Sequence, residues 1–287
     1  MQEILVILNP AARSERAKSV LRRIEKLPNC KLRVTSAPGD AGLFAAHAVE
    51  QGFRTVVAAG GDGTVNEVVN GLVGSDVSLG ILPVGTMNVF AAEIGLPGDL
   101  DEAWAVICAG RTRRVDLLRA NSQYFVQLAG VGLDAQVVQA TSWNFKKNFG
   151  PLSYVISAAQ IASNKPPRLL IEAEGAQREG SFVLIGNGRY YGGPIAVFKD
   201  ARIDDGKLDV VIFKNLGYLD IARYLATLFM GKHTLLNDVE YFQTRRAVVR
   251  SVDEVPVEVD GEVVTQLPVT FRVSSRKLRV VVPVGRE

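Results

Sequence analysis

A chain of 287 residues that is 47% apolar and 22% charged can bury a real core, as one large domain or two modest ones, and is excluded from the disordered class. Its 33 basic and 30 acidic side chains leave a net charge of +3, which argues against a nucleic-acid partner and is compatible with an anionic membrane surface. No segment approaches the roughly 18 apolar residues of a membrane span, and Cys30 and Cys108, with no metal or redox spacing around them, read as two buried thiols of a reducing compartment.

The amino terminus has neither a basic leader nor a cleavage site, so the expected location is cytoplasmic, with any membrane contact peripheral. Ile4–Leu8 is a continuous apolar run, as in a strand buried on both faces. Ala17, Val20, Leu21 and Ile24 follow at helical spacing. Residues 32–36 form the second strand, and Asp40 caps a helix ending near Gly52. Residues 55–59 and 78–82 are the third and fourth strands, each entering a helix through a loop. Asp99 and Glu102 have the spacing of a capping box for a helix that stops at Gly110. This alternation predicts an α/β domain with a parallel sheet covered on both faces. From about Arg113 the pattern changes to short strands, interrupted by helices over 151–163 and 217–231. They predict a second, antiparallel β-sandwich domain, with the boundary near Arg119: residues 1–119 and 120–287, the last strands being free to return to the first domain.

The stretch Gly60-Gly61-Asp62-Gly63-Thr64-Val65-Asn66-Glu67 follows the third strand. Val65, Val68, Val69 and Leu72 then fall on one helical stripe, and Thr64 and Glu67 have capping-box spacing. Glycines between strand and helix clear the way for a ligand, and the amides of a helix's first turn favour a phosphate. Asp62 would repel that phosphate unless it meets a metal ion, a ribose hydroxyl or the proton of an attacking alcohol. The glycine spacing is neither that of a Walker loop nor that of the dinucleotide fingerprint. The next junction, Pro83-Val84-Gly85-Thr86-Met87-Asn88, repeats the arrangement with Thr86 and Asn88 at its helix start. Two such loops on adjacent parallel strands define a crevice at the carboxyl edge of the sheet. Asn9, Arg13 and Thr35 stand in the first two junctions and are further candidates for nucleotide contact.

These segments resemble the diacylglycerol kinase catalytic family, which includes sphingosine and ceramide kinases and bacterial lipid kinases. The resemblance covers nearly the whole chain. It is carried by Asn9-Pro10, by Thr35 ahead of Gly39-Asp40-Ala41, and by the two loops. Later matches are Arg114-Val115-Asp116-Leu117, Ala129-Gly130-Val131-Gly132, Asp200-Ala201-Arg202-Ile203-Asp204-Asp205-Gly206 and Asp260-Gly261-Glu262. It implies an ATP- and Mg2+-dependent transfer to a lipid hydroxyl, with the active site in a cleft between two domains. By this similarity Asn9, Thr35, Gly60, Gly61, Asp62, Gly63, Thr64, Val65, Asn66 and Thr86 bind ATP. Glu262 is the catalytic carboxylate, and Asp205 holds magnesium with the carbonyls of Arg202 and Lys207. Asp116 joins them through water. Asp62 would act on nucleotide or magnesium; related sphingosine kinases are usually read with this loop carboxylate as the base, so the reverse assignment stays open. Two positions depart from the family pattern: Val89 stands where the family has Asp, and Arg13 where glycine is common. Val89 lies off the predicted buried stripe.

Without the family, Asp260-Gly261 is a hairpin signal, Asp204-Asp205-Gly206 an ordinary turn, and Asp116 a strand carboxylate in need of a cation, a metal or a cleft. Phosphoryl transfer needs charge neutralisation and in-line positioning, which helix amino termini, magnesium and a carboxylate near the acceptor hydroxyl supply. His47 and His233 stand in unrelated contexts and suggest no catalysis. The aromatic and lysine segment 144–150 and the apolar helix over 218–230, with Arg223, Lys232 and His233 nearby, suit a bilayer interface. By the family resemblance the expected partner is a lipid at a membrane surface, and a homodimer stays open. Two other functions remain open: a kinase of a soluble alcohol such as NAD, and a catalytically silent nucleotide-binding regulator, for which Val89 speaks.

Overall fold

The computed structural model describes residues 3–10, 15–132, 166–193 and 195–285, with residues 15–18 described in backbone alone. Arg13, the segment 144–150 and the helix expected over 151–163 lie outside the described residues. The chain forms two compact units, Met1–Leu117 with Ser275–Glu287, and Leu118–Ser274.

In the first unit β1 (Ile4–Leu8), β2 (Cys30–Val34), β3 (Thr55–Gly60) and β4 (Ser78–Pro83) pair in parallel in the order β2-β1-β3-β4. The runs ILVIL and TVVAAG are almost wholly buried, because helices cover both faces of a parallel sheet. On one face α1 (Glu15–Ile24) and α5 (Leu100–Ala109) set Ile24, Leu100, Ala103, Trp104 and Ile107 against Val6, Val57 and Leu82. α2 (Asp40–Glu50) and α3 (Asp62–Leu72) pack together and against β1, β3 and β4, and a short α4 (Val89–Glu93) follows the fourth strand. α5 ends as expected: Asp99 accepts from the amides of Asp101 and Glu102, and Gly110 is left-handed.

In the second unit the strands alternate antiparallel. Its first sheet contains β8 (Leu169–Ala173), β9 (Ala176–Gly180), β15 (Arg246–Ser251) and the start of β18 (Val269–Val281); β5 (Thr112–Ala120) begins in the first unit, and its last residues, Leu118–Ala120, form a hairpin with β6 (Gln123–Phe125). The second sheet runs β14 (Val239–Thr244), β13 (Leu208–Phe213), β10 (Phe182–Gly186), β7 (Leu128–Val131), β16 (Pro256–Val259), β17 (Glu262–Gln266). A small hairpin joins β11 (Tyr190–Tyr191) to β12 (Ile195–Ala196). Between the two sheets lie Ile171, Val249 and Phe271 from one and Val131, Ile185, Val210 and Val257 from the other. The outer face of the second sheet is also covered: α6 (Tyr218–Phe229) lays Ile221 and Tyr224 against Leu184, Val211 and Phe213. Coverage on both sides explains why β10 reads as an unbroken apolar run and why Asp209 alone interrupts β13.

Several sequence expectations need correction. The short-strand pattern does not hold at β18, where the polar stretch Ser274–Lys277 stays extended and one strand runs unbroken over Val269–Val281. β9, an edge strand of sequence AQREG with mostly exposed residues, gave no apolar signal. Cys108 is exposed; Cys30 is partly buried, and burial pushes its thiol up to about 11. Val89 is buried at 6% exposure, not free on the surface. His233 is buried as well, its Nε2 bonded to the Val197 carbonyl, so it cannot face a bilayer. Among the described residues no helix is long and apolar enough to cross a membrane.

Candidate active site

Parallel strands deliver the candidate residues of the first unit to one edge of its sheet. Asn9 follows β1, Thr35 follows β2, Gly60 ends β3 and Thr86 lies just beyond β4. Backbone bonds extend the ladder past the strands: the Asn9 amide donates to Ala59 and the Thr35 amide to Leu8. The Asn9 side-chain amide donates to the Thr64 hydroxyl at 3.0 Å, so the first and third junctions are tied. Thr35, Thr64 and Asn66 are buried, whereas Thr86 is exposed.

α3 begins at Asp62 with Gly61 as its cap residue, three residues earlier than the Thr64 cap expected. The Val65 amide is taken by the Gly61 carbonyl and its side chain lies in the core. The amides of Gly63 and Thr64, in contrast, precede the first intrahelical bond and have no carbonyl four residues back to meet. They are the groups of this turn suited to a phosphate oxygen. The glycines here answer to close approach. A Cβ on Gly60 would lie 2.4 Å from the Thr64 hydroxyl, and one on Gly85 would lie 2.4 Å from the Gly61 Cα.

The second loop is locked onto the first. Gly85 donates its amide to the Gly60 carbonyl at 3.2 Å, and Asp62 Oδ1 accepts from the Phe90 amide at 3.3 Å, at the start of α4. Asn88, left-handed at φ 49°, accepts from the Gly85 amide and donates to the carbonyls of Gly85 and Pro83. Asn88, not Thr86, is the cap residue of α4.

Two carboxylates act differently from their sequence reading. Glu67 forms no capping box with Thr64; its two oxygens accept from the amides of Gly39 and Ala41, each at 3.0 Å, and so cap α2 from a neighbouring helix. Asp40 turns back and accepts from the amides of Ser36 and Ala37 and from the Ser36 hydroxyl, which hold its carboxyl below its ordinary value. The loop that carries Thr35 is therefore held by two acids. Asp116, on β5, is 1% exposed and pairs with Lys277 Nζ at 2.9 Å.

In the second unit, the Asp260-Gly261 turn is left-handed at both residues (φ 47° and 89°), as a tight hairpin requires. It places the exposed Glu262 at the start of edge strand β17. The buried Asp260 accepts from three successive amides, Val126, Gln127 and Leu128, each at 3.0 Å, while Glu258 accepts from the Gly261 amide. Asp205 closes a turn: its amide donates to the Arg202 carbonyl and its Oδ1 accepts from the Lys207 amide. Beside it, burial pushes the Asp209 carboxyl up, an effect that bonds from Tyr241 and Gln243 partly offset.

One carboxylate and two turn carbonyls are hard oxygen donors, a set that fits magnesium retaining several waters. Among the described residues no group of three or more His, Cys, Asp or Glu could hold a metal ion, so a dedicated all-side-chain cage is not the fit. Asp205 with the carbonyls of Arg202 and Lys207 is compatible with the former only.

The model of the diacylglycerol kinase catalytic domain matches residues 3–120, and that of the YegS C-terminal NAD kinase beta sandwich-like domain matches residues 127–282. The chain is 32% identical over 288 residues to a diacylglycerol kinase of Staphylococcus saprophyticus, spanning 97% of this chain and 94% of that one. The chain belongs to the diacylglycerol kinase family. A diacylglycerol kinase of Staphylococcus carnosus is 30% identical over the same shares of the two chains. A solved chain from Bacillus anthracis has the same fold, with a TM-score of 0.84 at 24% identity over 99% of this chain and 96% of that one. Membership in the diacylglycerol kinase family makes the chain an ATP-dependent phosphotransferase with an alcohol acceptor. Glu67, Asp260 and Lys277 carry structural duties around its candidate groups that sequence reasoning assigned to none of them.

Proposed function

We propose that this family member transfers the γ-phosphoryl group of ATP to the hydroxyl of a lipid at a membrane surface, with diacylglycerol as the foremost acceptor and magnesium as the metal. The observation that carries the reading is the locking of two glycine loops, backbone to backbone through Gly60 and Gly85, at the carboxyl ends of adjacent parallel strands. Identity of 32% and 30% to two diacylglycerol kinases, over 97% of this chain, supports the acceptor class.

In this reading Asn9, Thr35, the Gly60–Asn66 turn and Thr86 receive the nucleotide. Val65 contributes through its place in the helix and not through its side chain. The acceptor oxygen bonds to the γ-phosphorus as the bond to the β,γ-bridging oxygen breaks, and ADP leaves. The hydroxyl proton passes to a carboxylate, for which Glu262 is the assignment. Asp62 faces the nucleotide while holding α4, and Asp116 supports the polar network with Lys277. Bound magnesium would supply charge to order the turn of Asp205, Arg202 and Lys207.

Radiolabelled ATP, magnesium and mixed micelles bearing a panel of hydroxyl lipids test the reading. Label on diacylglycerol or a related lipid, abolished by Glu262→Gln while ATP still binds, is the expected result. Labelled NAD in place of labelled lipid would move the acceptor to a soluble alcohol. ATP binding with no labelled product at all would make the chain a regulator.

A further inference from the structure

Helix α6 has two apolar faces. Ile221 and Tyr224 turn inward to the second sheet. On the opposite side Leu219, Ala222, Ala226 and Met230 follow one another at i, i+3, i+7 and i+11, with Tyr218 and Phe229 on one shoulder. The exposure is large: Leu219 87%, Phe229 68%, Met230 60% and Tyr218 56%, with Leu235 of the following 3-10 turn at 72%. An apolar stripe of this size marks a place where something other than water belongs.

The charges beside it indicate what. The two acids near the helix are turned toward the protein: Asp220 binds Arg223, and Asp238 binds Arg223, Tyr224 and Asn215. Lys232, one turn past the helix, is exposed and has no carboxylate within ion-pair distance among the described residues. An apolar ridge with satisfied acids and an outward cation is complementary to acyl chains beneath anionic headgroups.

We infer that the outward face of α6, with Leu235 and Lys232, is the surface by which this chain docks on an anionic bilayer. The inference rests on the lipid-kinase reading for its purpose, and its test is independent of acceptor chemistry.

The full chain is sedimented with vesicles of phosphatidylglycerol and phosphatidylcholine that contain no diacylglycerol. Leu219→Glu/Met230→Glu is expected to weaken binding at least about tenfold, since each change sets a charge where an acyl chain would lie. Lys232→Glu weakens it less and flattens its salt dependence. Turnover on a water-dispersed short-chain diacylglycerol, read separately, stays unchanged. A Phe229→Trp probe, with a blue-shifted emission on vesicles, gives a readout without loss of apolar surface. Wild-type sedimentation by the double variant, or no emission shift from the Phe229→Trp chain, overturns the proposal. So does a double variant that turns a dimer into a monomer with vesicle binding intact, because the face would then be a subunit interface. Vesicle binding lost in the double variant although the wild type labels no lipid would support docking and remove only the acceptor.

Discussion

Asp62 Oδ1 accepts a hydrogen bond from the Phe90 amide at 3.3 Å, so the acid of the glycine loop is also the cap of the helix after the next strand. That double duty separates charge from shape. Asp62→Asn keeps an acceptor at this place and is expected to hold the melting temperature close to wild type while turnover falls at least about a hundredfold, the scale of a lost charged or proton-transfer group. Asp62→Ala loses both and costs a further ~1 kcal/mol of stability, as a lost cap does. Turnover retained in Asp62→Asn would reduce Asp62 to a cap.

Glu67 holds the amino terminus of α2 through two amides, and the loop it steadies carries Thr35. Glu67→Ala should raise KM for ATP about tenfold with a smaller change in kcat, from two bonds worth ~1 kcal/mol each shared between folding and loop order. Glu67→Gln, which has one acceptor oxygen, falls between. Steady-state kinetics checks the split: equal losses in kcat and KM across both variants would refute a positioning role.

Lys277→Met withdraws the cation from Asp116, a carboxylate at 1% exposure. The expected loss in chemical denaturation is about 1–3 kcal/mol, below that of a wholly buried pair because the lysine is 41% exposed. Asp116→Asn in the same chain should restore more than half of it. Additive losses in the two single variants would show that the pair is not coupled.

Acid should loosen the contact that holds α6 to Asp238. Burial of Asp238 favours its neutral form, but Arg223, Tyr224 and Asn215 donate to the carboxylate and hold it well below the usual range. A carboxyl lowered in the folded chain stabilises it above the unfolded value of about 3.9, and that contribution fades as pH falls through the folded value. The melting-temperature gap between wild type and Asp238→Asn is therefore widest near neutrality and narrows by about pH 3. A gap independent of pH would place the stabilisation in packing.

The strands and loops of the first unit were legible because a parallel sheet writes unbroken apolar runs and glycine-rich junctions into the sequence. Local signals misled where a distant group took the bond. Thr64 and Glu67 have capping-box spacing, yet Asn9 meets the threonine and the α2 amides meet the glutamate. Val89 reads as solvent-facing when one helical stripe is expected to be buried, but the short α4 buries three successive residues, Val89, Phe90 and Ala91. Lys277 gave no signal as Asp116's partner, since 161 positions separate them in the chain. Their meeting depends on β18 returning to the first unit.

That return has a cost in time. Arg279 and Val280 pair with Ser78 and Leu79, so β4 gains its outer neighbour only when the far end of β18 has been made. During synthesis the first 117 residues emerge with an unpaired sheet edge and wait for the whole second unit before the ribosome delivers the strand that closes it. A nascent chain stalled short of Ser275 would leave the edge of β4 open to chaperones, and a premature stop just before Ser275 would damage a sheet whose other strands were made long before it.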